Sequence, residues 1–255
     1  MLTNVVAVIQ ARMGSTRLPG KIMMDVENRP MLWHVVDRLG RCNMLNKVVV
    51  ATSDRRSDDA VEKFCEKHSF NIFRGDENNV LARYYSAAEK YAADVVVRIT
   101  GDCPLIDPEL VDTCIHSFLV DYFDYYSNIN PPTFPDGLDC EVIKYSALET
   151  AYKSARLKSE IEHVTPFIRN NPALFKIGNC SSAINYEYHR WTLDNKEDFE
   201  LIEKIYSRLY SVGKYVAWTD VIRLLEENPE WLKINSSNNR NEGFIKSLKN
   251  DSFIN

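Results

Sequence analysis

The 255-residue sequence lacks the markers of several common protein classes. It has no Gly-x-Gly-x-x-Gly segment, so the dinucleotide-binding fingerprint is absent. No apolar run reaches the length of a membrane span, and the first segment, Met1–Asn4, carries no basic residue of the kind that opens a secretory signal. A net charge of −5 provides no general positive field for nucleic acid. We therefore expect a cytoplasmic protein that binds neither a membrane nor nucleic acid.

Cysteine pairing is lacking as well. The six cysteines form no Cys-x-x-Cys pair and show no zinc-ligand spacing with the five histidines. This usage predicts reduced, mostly buried thiols, as expected in the cytosol.

A cationic loop is the most informative feature that is present. The apolar run Val5–Ile9 predicts a buried parallel strand. The segment that follows, Gln10–Lys21, contains three cations, two glycines, two hydroxyl groups and a proline. Glycine lets backbone amides approach a ligand, and free amides bind anions. The loop therefore predicts a local polyphosphate site, and the alternative is a basic surface turn.

This loop is not a P-loop. That motif requires four residues between its first glycine and the Gly-Lys-Ser/Thr sequence. Here five residues separate Gly14 from Gly20, and Ile22 stands where the magnesium-binding hydroxyl would be.

Short apolar runs alternate with amphipathic helical patterns in the first half of the chain, which predicts a parallel sheet covered on both faces. Predicted strands are Val5–Ile9, Lys47–Thr52, Asn71–Phe73 and Asp94–Ile99, and predicted helices are Pro30–Arg41, Asp58–His68, Val80–Ala92 and Pro108–Phe118. Ligands of such sheets bind beyond the carboxyl ends of the strands. This rule places the loop Arg12–Lys21, the segment Thr52–Asp54 and the segment Thr100–Asp102 in one crevice.

The second half is less regular. Predicted strands lie near Asp124–Asn128, Leu138–Lys144, Phe175–Gly178 and Glu187–Leu193, and predicted helices are Ser146–Ala155, Ser159–Asn170, Asn195–Leu209 and Thr219–Glu227. The polar tail that begins at Asn235 has the composition of loop or disorder.

Carboxylates follow several predicted strands. Asp102 lies in the predicted crevice, where magnesium would let it attract phosphates; capping the next helix is the alternative, although Asp107 is better placed for that. Asp194 could be a second metal ligand or the cap of the helix that follows.

Two further pairs of residues each have two possible interpretations. Asp139 and Glu141 would share one face of a strand, either binding substrate hydroxyls or simply solvated. Glu162 and His163 lie in a helical pattern, where they pair with substrate or with each other.

These residues resemble the signature of the CMP-sugar synthetases, which activate Kdo, sialic acid and related acidic sugars, and most closely the spore-coat polysaccharide cytidylyltransferase group. The similarity covers nearly the whole chain. It rests on Ala11–Lys21, Arg74-Gly75, Val80–Tyr84, Arg98–Asp107, Phe134–Val142, Glu162–Pro166, Arg190–Asp194 with Glu197-Asp198, and Asn241–Phe244 with Lys246–Leu248.

The resemblance implies a Rossmann-like α/β nucleotidyltransferase fold of three α/β/α layers with a mostly parallel sheet. It implies one domain over residues 1–234, in which 129–180 form a substrate and dimerisation lobe, and a C-terminal tail over 235–255. Relatives commonly form dimers, so a homodimer is expected. The family's tail also argues against disorder at the C-terminus.

The resemblance further implies CTP as co-substrate and Mg²⁺ as cofactor. Arg12, Lys21 and Asp102 would be catalytic, and Asp102 and Asp194 would hold the metal. The expected nucleotide-binding residues are Ala11, Arg12, Gly14, Ser15, Arg17, Lys21, Ser53, Arg83, Thr100 and Asp102. The candidates for acceptor recognition are Asp139, Glu141, Glu162, His163 and Arg190, the last through an acceptor carboxylate. Gln10 replaces a proline of the Kdo-activating enzymes, so the acceptor stays open.

The resulting hypothesis is transfer of CMP from CTP to an acidic sugar, with release of pyrophosphate, for surface or spore-coat polysaccharide biosynthesis. One alternative is a metal-dependent nucleotide-sugar glycosyltransferase, although a triphosphate explains the cationic loop better. The other is a nucleotide-binding protein without catalysis.

Overall fold

The structure, a computed structural model, describes residues 3–211 and 214–254. The predicted start Met1–Asn4, the predicted domain 1–234 and the predicted tail 235–255 each include residues that lie outside this description. In chain order the strands are β1 (Val5–Gln10), β2 (Asp25–Val26), β3 (Arg29–Pro30), β4 (Lys47–Ser53), β5 (Asn71–Gly75), β6 (Val95–Thr100), β7 (Tyr125–Ser127), β8 (Glu141–Lys144) and β9 (Ile177–Asn179). The helices are α1 (Met31–Leu39), α2 (Asp59–Lys67), α3 (Val80–Lys90), α4 (Pro108–Val120), α5 (Tyr145–Ser154), α6 (Lys158–His163), α7 (Pro166–Arg169), α8 (Lys196–Leu209), α9 (Trp218–Glu227) and α10 (Glu242–Lys249).

A seven-stranded sheet forms the centre, in the order β5-β4-β1-β6-β8-β7-β9. The first four strands are parallel, whereas β8 runs antiparallel to both β6 and β7. The chain moves outward from β1 to β5 and then returns to β6 on the other side of β1. A ligand crevice is expected at the carboxyl ends of β1 and β6, because the strand order reverses there.

Alternation along β1 explains the layers. Val5, Ala7 and Ile9 pack into the core beneath α1, α2, α4, α8 and α9, whereas Val6 and Val8 face the core beneath α3, α5 and α7. A strand that is buried on both faces needs apolar residues at every position. The predicted three-layer α/β/α fold is therefore confirmed.

The predicted lobe over residues 129–180 is continuous with this sheet. It supplies β8 and β9 to the sheet and α5, α6 and α7 to one face. Its role in dimerisation stays a prediction.

Two predicted elements of the second half are wrong. The helix predicted over Ser159–Asn170 is divided into α6 and α7, because Val164 adopts a positive φ of 71° between them. The segment Glu187–Leu193 is not a strand; it makes one parallel bridge, between Asp136 and Arg190. Gly137 allows this approach, since a Cβ there would lie 2.6 Å from the carbonyl carbon of Trp191.

The tail is also more ordered than its composition indicates. Asn235 is buried and donates to Asp198 Oδ1 at 2.9 Å, and α10 follows the loop 235–241. Asp251 then accepts bonds from Ser159 N at 3.0 Å and Ser159 Oγ at 2.6 Å. The prediction of disorder is therefore wrong for the described part of the tail.

The six cysteines are free thiols, and four of them are buried. Within residues 3–211 and 214–254, no helix combines the length and apolar character needed to cross a membrane.

Candidate active site

The cationic loop lies where β1 ends, held in place from below by Asp58. This buried carboxylate accepts bonds from Met13 N at 2.8 Å and from Ser53 Oγ at 2.5 Å. Burial alone would raise the pKa of Asp58, but the hydrogen bonds from Ser53, Met13 and Thr52 bring it below its usual value. Asp58 therefore fixes the loop to the end of β4 as a charged group.

This contact corrects the prediction for Ser53. Its hydroxyl is 1% exposed and bonded to Asp58, and it lies apart from the cleft that the loop borders. Ser53 supports the loop from beneath and does not line the nucleotide cleft.

The cleft above the loop has a volume of about 510 Å³ and is rich in unused donors. Among the described residues, the backbone amides of Arg12, Gly14 and Thr16 have no protein acceptor. Ser15 stabilises the turn by accepting the amide of Leu18 at 3.3 Å. Free amides at a glycine-containing turn are suited to bind an anion.

Two guanidinium groups add charge to the cleft. Neither Arg12 nor Arg83 has a carboxylate within 4.0 Å in the described part of the chain. The Arg83 side chain is buried, bonds to the carbonyl of Asp76 at 2.7 Å, and leaves its Nε without a partner. Burial and the charge of Arg12 lower the pKa of Arg83. A buried cation without a carboxylate in direct contact lowers the stability of the fold unless an anion binds there.

Lys21 and two aspartates form the centre of the site. The Lys21 ammonium lies 2.6 Å from Asp102 Oδ2 and 2.8 Å from Asp194 Oδ1. Burial opposes these charges, yet the carboxylates raise the pKa of Lys21, and Lys21 with Arg17 and Arg190 lowers the pKa of Asp194. Lys21 and Asp194 are therefore both charged at neutral pH.

These two aspartates fit a divalent cation. Both carboxylates come within hydrogen-bond distance of one ammonium nitrogen, so they are close enough to share one small cation. Mg²⁺ is commonly bound by one or two carboxylates together with substrate phosphates and water, which matches this oxygen donor set. No group of three or more acidic, histidine or cysteine ligands occurs among the described residues, so the phosphates would have to complete the coordination.

Gly101 brings Asp102 to this position. A Cβ at Gly101 would lie 2.9 Å from the Ala11 Cβ and 3.1 Å from the Gln10 carbonyl oxygen. Only glycine allows β6 to end so close to the start of the cationic loop. As predicted, Asp107 caps α4 by accepting the amide of Leu110 at 3.0 Å, so Asp102 is not needed as the cap.

Arg190 orients the second aspartate. Its guanidinium donates to Asp194 Oδ2 at 2.8 Å, to Asp136 Oδ2 at 2.8 Å and to Asp198 Oδ1 at 3.0 Å. Asp198 also accepts the amides of Asp194 and Asn195, both at 2.9 Å, at the start of α8. Asp198 therefore caps this helix, and the Asp194 carboxylate can face the cleft. This corrects the prediction that Arg190 pairs with an acceptor carboxylate, because protein carboxylates already occupy its three donor directions.

A second cavity of about 400 Å³ opens beyond Asp102 and Asp194. Glu141 lies at its base and is 1% exposed. It pairs with Arg98 and accepts the hydroxyls of Tyr125 and Thr165, both at 2.6 Å. The solvated-face alternative for Glu141 is therefore wrong, and the predicted substrate contact is replaced by an internal one in which Glu141 positions Arg98.

Asp139 faces the same cavity and binds a residue of the tail. Its Oδ1 accepts Arg240 Nη2 at 2.5 Å. Burial, with the nearby charge of Asp136, raises the pKa of Asp139 to about 7 even though Arg240 opposes the shift. The solvated-face alternative is wrong here too, and Asp139 remains accessible as a candidate contact for an acceptor.

His163 borders both cavities. Burial, together with the charges of Arg98 and Arg169, lowers the pKa of His163 to about 4, so the ring is neutral at pH 7. Its Nε2 has no hydrogen-bond partner among the described residues and lies 3.8 Å from Glu162. Glu162 instead accepts Ser247 Oγ at 2.9 Å and borders the nucleotide cleft, not the second cavity.

Arg169 is the cation of the second cavity that the sequence analysis missed. In the described chain it has no carboxylate within 4.0 Å, its Nε is buried without a partner, and its guanidinium lies 5.3 Å from the ring centre of Phe244. Arg240 and Lys246 were also missed, because they come from the tail that composition assigned to disorder.

The structure brings most of the predicted residues together. Those of the nucleotide set that line the first cleft are Ala11, Arg12, Gly14, Ser15, Arg17, Lys21, Arg83, Thr100 and Asp102, and Asp194 borders both cavities. Those of the acceptor set that line the second cavity are Asp139, Glu141, His163 and Arg190. Apart from the acceptor contacts of Arg190 and Glu141 corrected above, the roles of these residues in binding and catalysis stay predictions.

Comparison with known proteins agrees with this geometry. The family model described as cytidylyltransferase matches residues 6–220. The chain is similar to the spore coat polysaccharide biosynthesis protein SpsF of Bacillus subtilis, with 35% identity over 90% of this chain and 97% of that protein. It is also similar to the 3-deoxy-manno-octulosonate cytidylyltransferase of Pelobacter propionicus, with 36% identity over 46% of each chain. Among solved structures, a cytidylyltransferase from Leptospira borgpetersenii superposes with a TM-score of 0.86 and 34% identity, covering 91% of this chain and 97% of that one.

Proposed function

This chain belongs to the cytidylyltransferase family of CTP-dependent nucleotidyltransferases, and we propose that it transfers CMP from CTP to an acidic sugar and releases pyrophosphate. The observation that carries the proposal is the meeting of the cationic loop with Asp102 and Asp194 at one edge of the sheet.

The charge distribution supports a triphosphate in the first cleft. Arg12 and Arg83 have no acidic partner in the described chain, and the loop amides next to them are free. A triphosphate brings more negative charge than a sugar diphosphate, so it makes better use of these donors. The glycosyltransferase alternative does not explain them.

The chemistry follows from the two adjoining cavities. A hydroxyl oxygen of the acceptor attacks the α-phosphorus of CTP in line, the bond from that phosphorus to the bridging oxygen breaks, and pyrophosphate leaves. Negative charge develops on the leaving group, where Arg12 and Lys21 stabilise it. A fixed donor of this kind commonly contributes about 3 kcal/mol to the transition state.

Asp102 and Asp194 would hold Mg²⁺, which supplies Lewis-acid stabilisation of the phosphate oxygens and lowers the pKa of a bound hydroxyl. Arg190 keeps Asp194 pointed at the cleft, and Arg17 contacts Asp194 Oδ1 at 2.9 Å. These contacts preset the carboxylate geometry before substrate binds.

The second cavity supports an acidic acceptor. Arg169 is a partly buried cation without a carboxylate within 4.0 Å in the described chain, and Arg98 lines the same cavity. A sugar carboxylate would neutralise Arg169, while Asp139 and neutral His163 offer acceptors for sugar hydroxyls. The relative from Pelobacter, whose name specifies 3-deoxy-manno-octulosonate, agrees with an ulosonic or nonulosonic acid. The name of SpsF supports a role in surface or spore-coat polysaccharide biosynthesis. A cytoplasmic location and a homodimer are further parts of this proposal.

The test is a pyrophosphate-release screen of CTP, UTP, ATP and GTP against acidic, neutral and phosphorylated sugars. We expect turnover with CTP, Mg²⁺ and an acidic sugar, and loss of turnover on chelation. Arg12→Ala and Asp102→Ala should reduce kcat/KM by at least about a hundredfold. Arg223→Ala, which changes an exposed ion pair far from the cleft, is the matched control.

Near-normal turnover in either cleft variant would overturn the mechanism. Sugar transfer from a CMP- or UDP-sugar without pyrophosphate release would favour the glycosyltransferase, and CTP binding without turnover on any sugar of the panel would favour a binding protein.

A further inference from the structure

The nucleotide cleft has a wall that the cationic loop does not provide. Helix α10 contributes Glu242, Gly243 and Lys246 to the cleft that holds Arg12 and Lys21. The matched family model ends at residue 220, before this helix, and the resemblance of its sequence to the family's end gives no role to any of its residues.

Contacts on both sides hold α10 in this position. At its start, Glu242 Oε2 accepts Arg17 Nη1 at 2.8 Å. Further along, Ser247 Oγ donates to Glu162 at 2.9 Å, and the Phe244 ring lies 4.9 Å from the His163 ring. The helix is therefore anchored to both the phosphate loop and α6.

Lys246 is the lysine of α10 that lines the cleft. It stands one turn after Glu242, the position at which a helical ion pair forms. Glu242 is engaged by Arg17 instead, and no carboxylate of the described chain lies within 4.0 Å of the Lys246 ammonium. Lys246 thus adds an unpaired cation to a cleft where Arg12 and Arg83 are unpaired already.

The position of Lys246 indicates which part of the substrates it can contact. Lys246 lines the first cleft, as do Arg12 and Arg83, but within the described residues it does not line the second cavity, where the acceptor enters. In an in-line displacement the leaving group points away from the attacking oxygen. A cation confined to the first cleft is therefore placed for the phosphates that leave.

We propose that Lys246 of the C-terminal helix binds the β- and γ-phosphates of CTP, so that the tail forms part of the active site. This inference rests on the proposed function. Arg12 and Lys21 approach the phosphate chain from the loop, and Lys246 approaches it from the facing wall.

The test compares two exposed lysines of the same helix. Lys246→Gln removes the cation that lines the cleft, whereas Lys249→Gln removes a cation that does not line it. Calorimetric titration with CTP should show about tenfold weaker binding for Lys246→Gln and wild-type binding for Lys249→Gln. CMP, which lacks the β- and γ-phosphates, should bind wild type and both variants equally.

A turnover measurement adds a second readout. Pyrophosphate release by Lys246→Gln should show a raised KM for CTP and an unchanged KM for the acceptor. Thermal unfolding should leave both variants within about 2 °C of wild type, because neither lysine makes an ion pair or packs in the core.

The outcomes separate this inference from the proposed function. Equal CTP affinity of Lys246→Gln and wild type would overturn it while leaving the proposed function intact. Equal weakening of CMP and CTP would overturn it as well, since the contact would then not be with the leaving phosphates. Failure of the wild-type protein to bind CTP would instead refute the proposed function.

Discussion

Replacing Arg190 with methionine should destabilise the protein strongly. The guanidinium is 7% exposed and makes three bonds of 2.8 to 3.0 Å to Asp136, Asp194 and Asp198. Methionine has similar length and no charge, so the change leaves three carboxylates without their shared cation.

We expect a loss of about 4 kcal/mol in the free energy of unfolding. Removing one partner of a buried ion pair costs about 3–5 kcal/mol, because the remaining charge stays buried. Asp198, which is 0% exposed, keeps the amides of Asp194 and Asn195 as donors, and this limits the loss.

The loss should depend on pH. Arg190, after Lys21 and Arg17, helps to hold the pKa of Asp194 below its usual value against the effect of burial. A lowered carboxylate pKa contributes stability that is present above the unfolded-state pKa and is lost as the pH falls through the folded-state pKa. The difference between wild type and Arg190→Met should therefore be larger at pH 5 than at pH 3, because the stabilising contribution is lost only below the unfolded-state pKa.

Urea unfolding followed by circular dichroism at both pH values measures this difference. Arg223→Met is the control, because its pair with Asp220 is exposed and should change stability by less than about 0.5 kcal/mol. Arg190→Lys tests geometry, since an ammonium keeps the charge but cannot reach three carboxylates in the planar arrangement. A loss below about 1 kcal/mol for Arg190→Met, or one that does not vary with pH, would refute the reasoning.

Three further predictions concern the supports of the site. Gly101→Ala should lower the free energy of unfolding by about 1–3 kcal/mol, because its Cβ would lie 2.9 Å from the Ala11 Cβ. Gly243→Ala is the control, since its Cβ would meet nothing within 4 Å. Equal melting temperatures of the two variants would contradict this. Asp58→Asn should lose about 1–3 kcal/mol at pH 7 and less at pH 3, since the lowered pKa of Asp58 gives stability that is lost as the pH falls through its folded-state pKa. An equal loss at both pH values in urea unfolding would show otherwise. His163, with its pKa lowered to about 4, costs stability as the pH falls from 6.5 to 4, so His163→Gln should be less acid-sensitive in that window; an NMR titration midpoint near 6.5 would rule this out.

The first half of the fold could be predicted because each pattern there has one physical interpretation. The run Val5–Ile9 is apolar on both faces, which fits a central parallel strand, and the four predicted strands of the first half appear within two residues of their predicted bounds. The short strands β2 and β3 were not predicted. The convergence of Lys21 with Asp102 follows from the same rule, since both lie beyond the carboxyl ends of adjacent strands.

The second half could be predicted less well, because long-range contacts determine it. Arg190 lies in an alternating segment that resembles a strand, yet three carboxylates from 4 to 54 positions away fix its backbone and side chain. Sequence spacing alone could not show that the Glu141 carboxylate is already bound by Arg98, Tyr125 and Thr165. Composition also could not show that a polar tail is ordered by the charges it meets.

The order of the polypeptide has a consequence for the assembly of this protein. Arg17 and Glu242 touch although 225 positions separate them, and Arg240 reaches back to Asp139. During synthesis the sheet can form before these last side chains leave the ribosome. A proteolytic cut between α9 and Arg240 would therefore separate Arg240 and Glu242 from the part of the chain that carries Asp139 and Arg17.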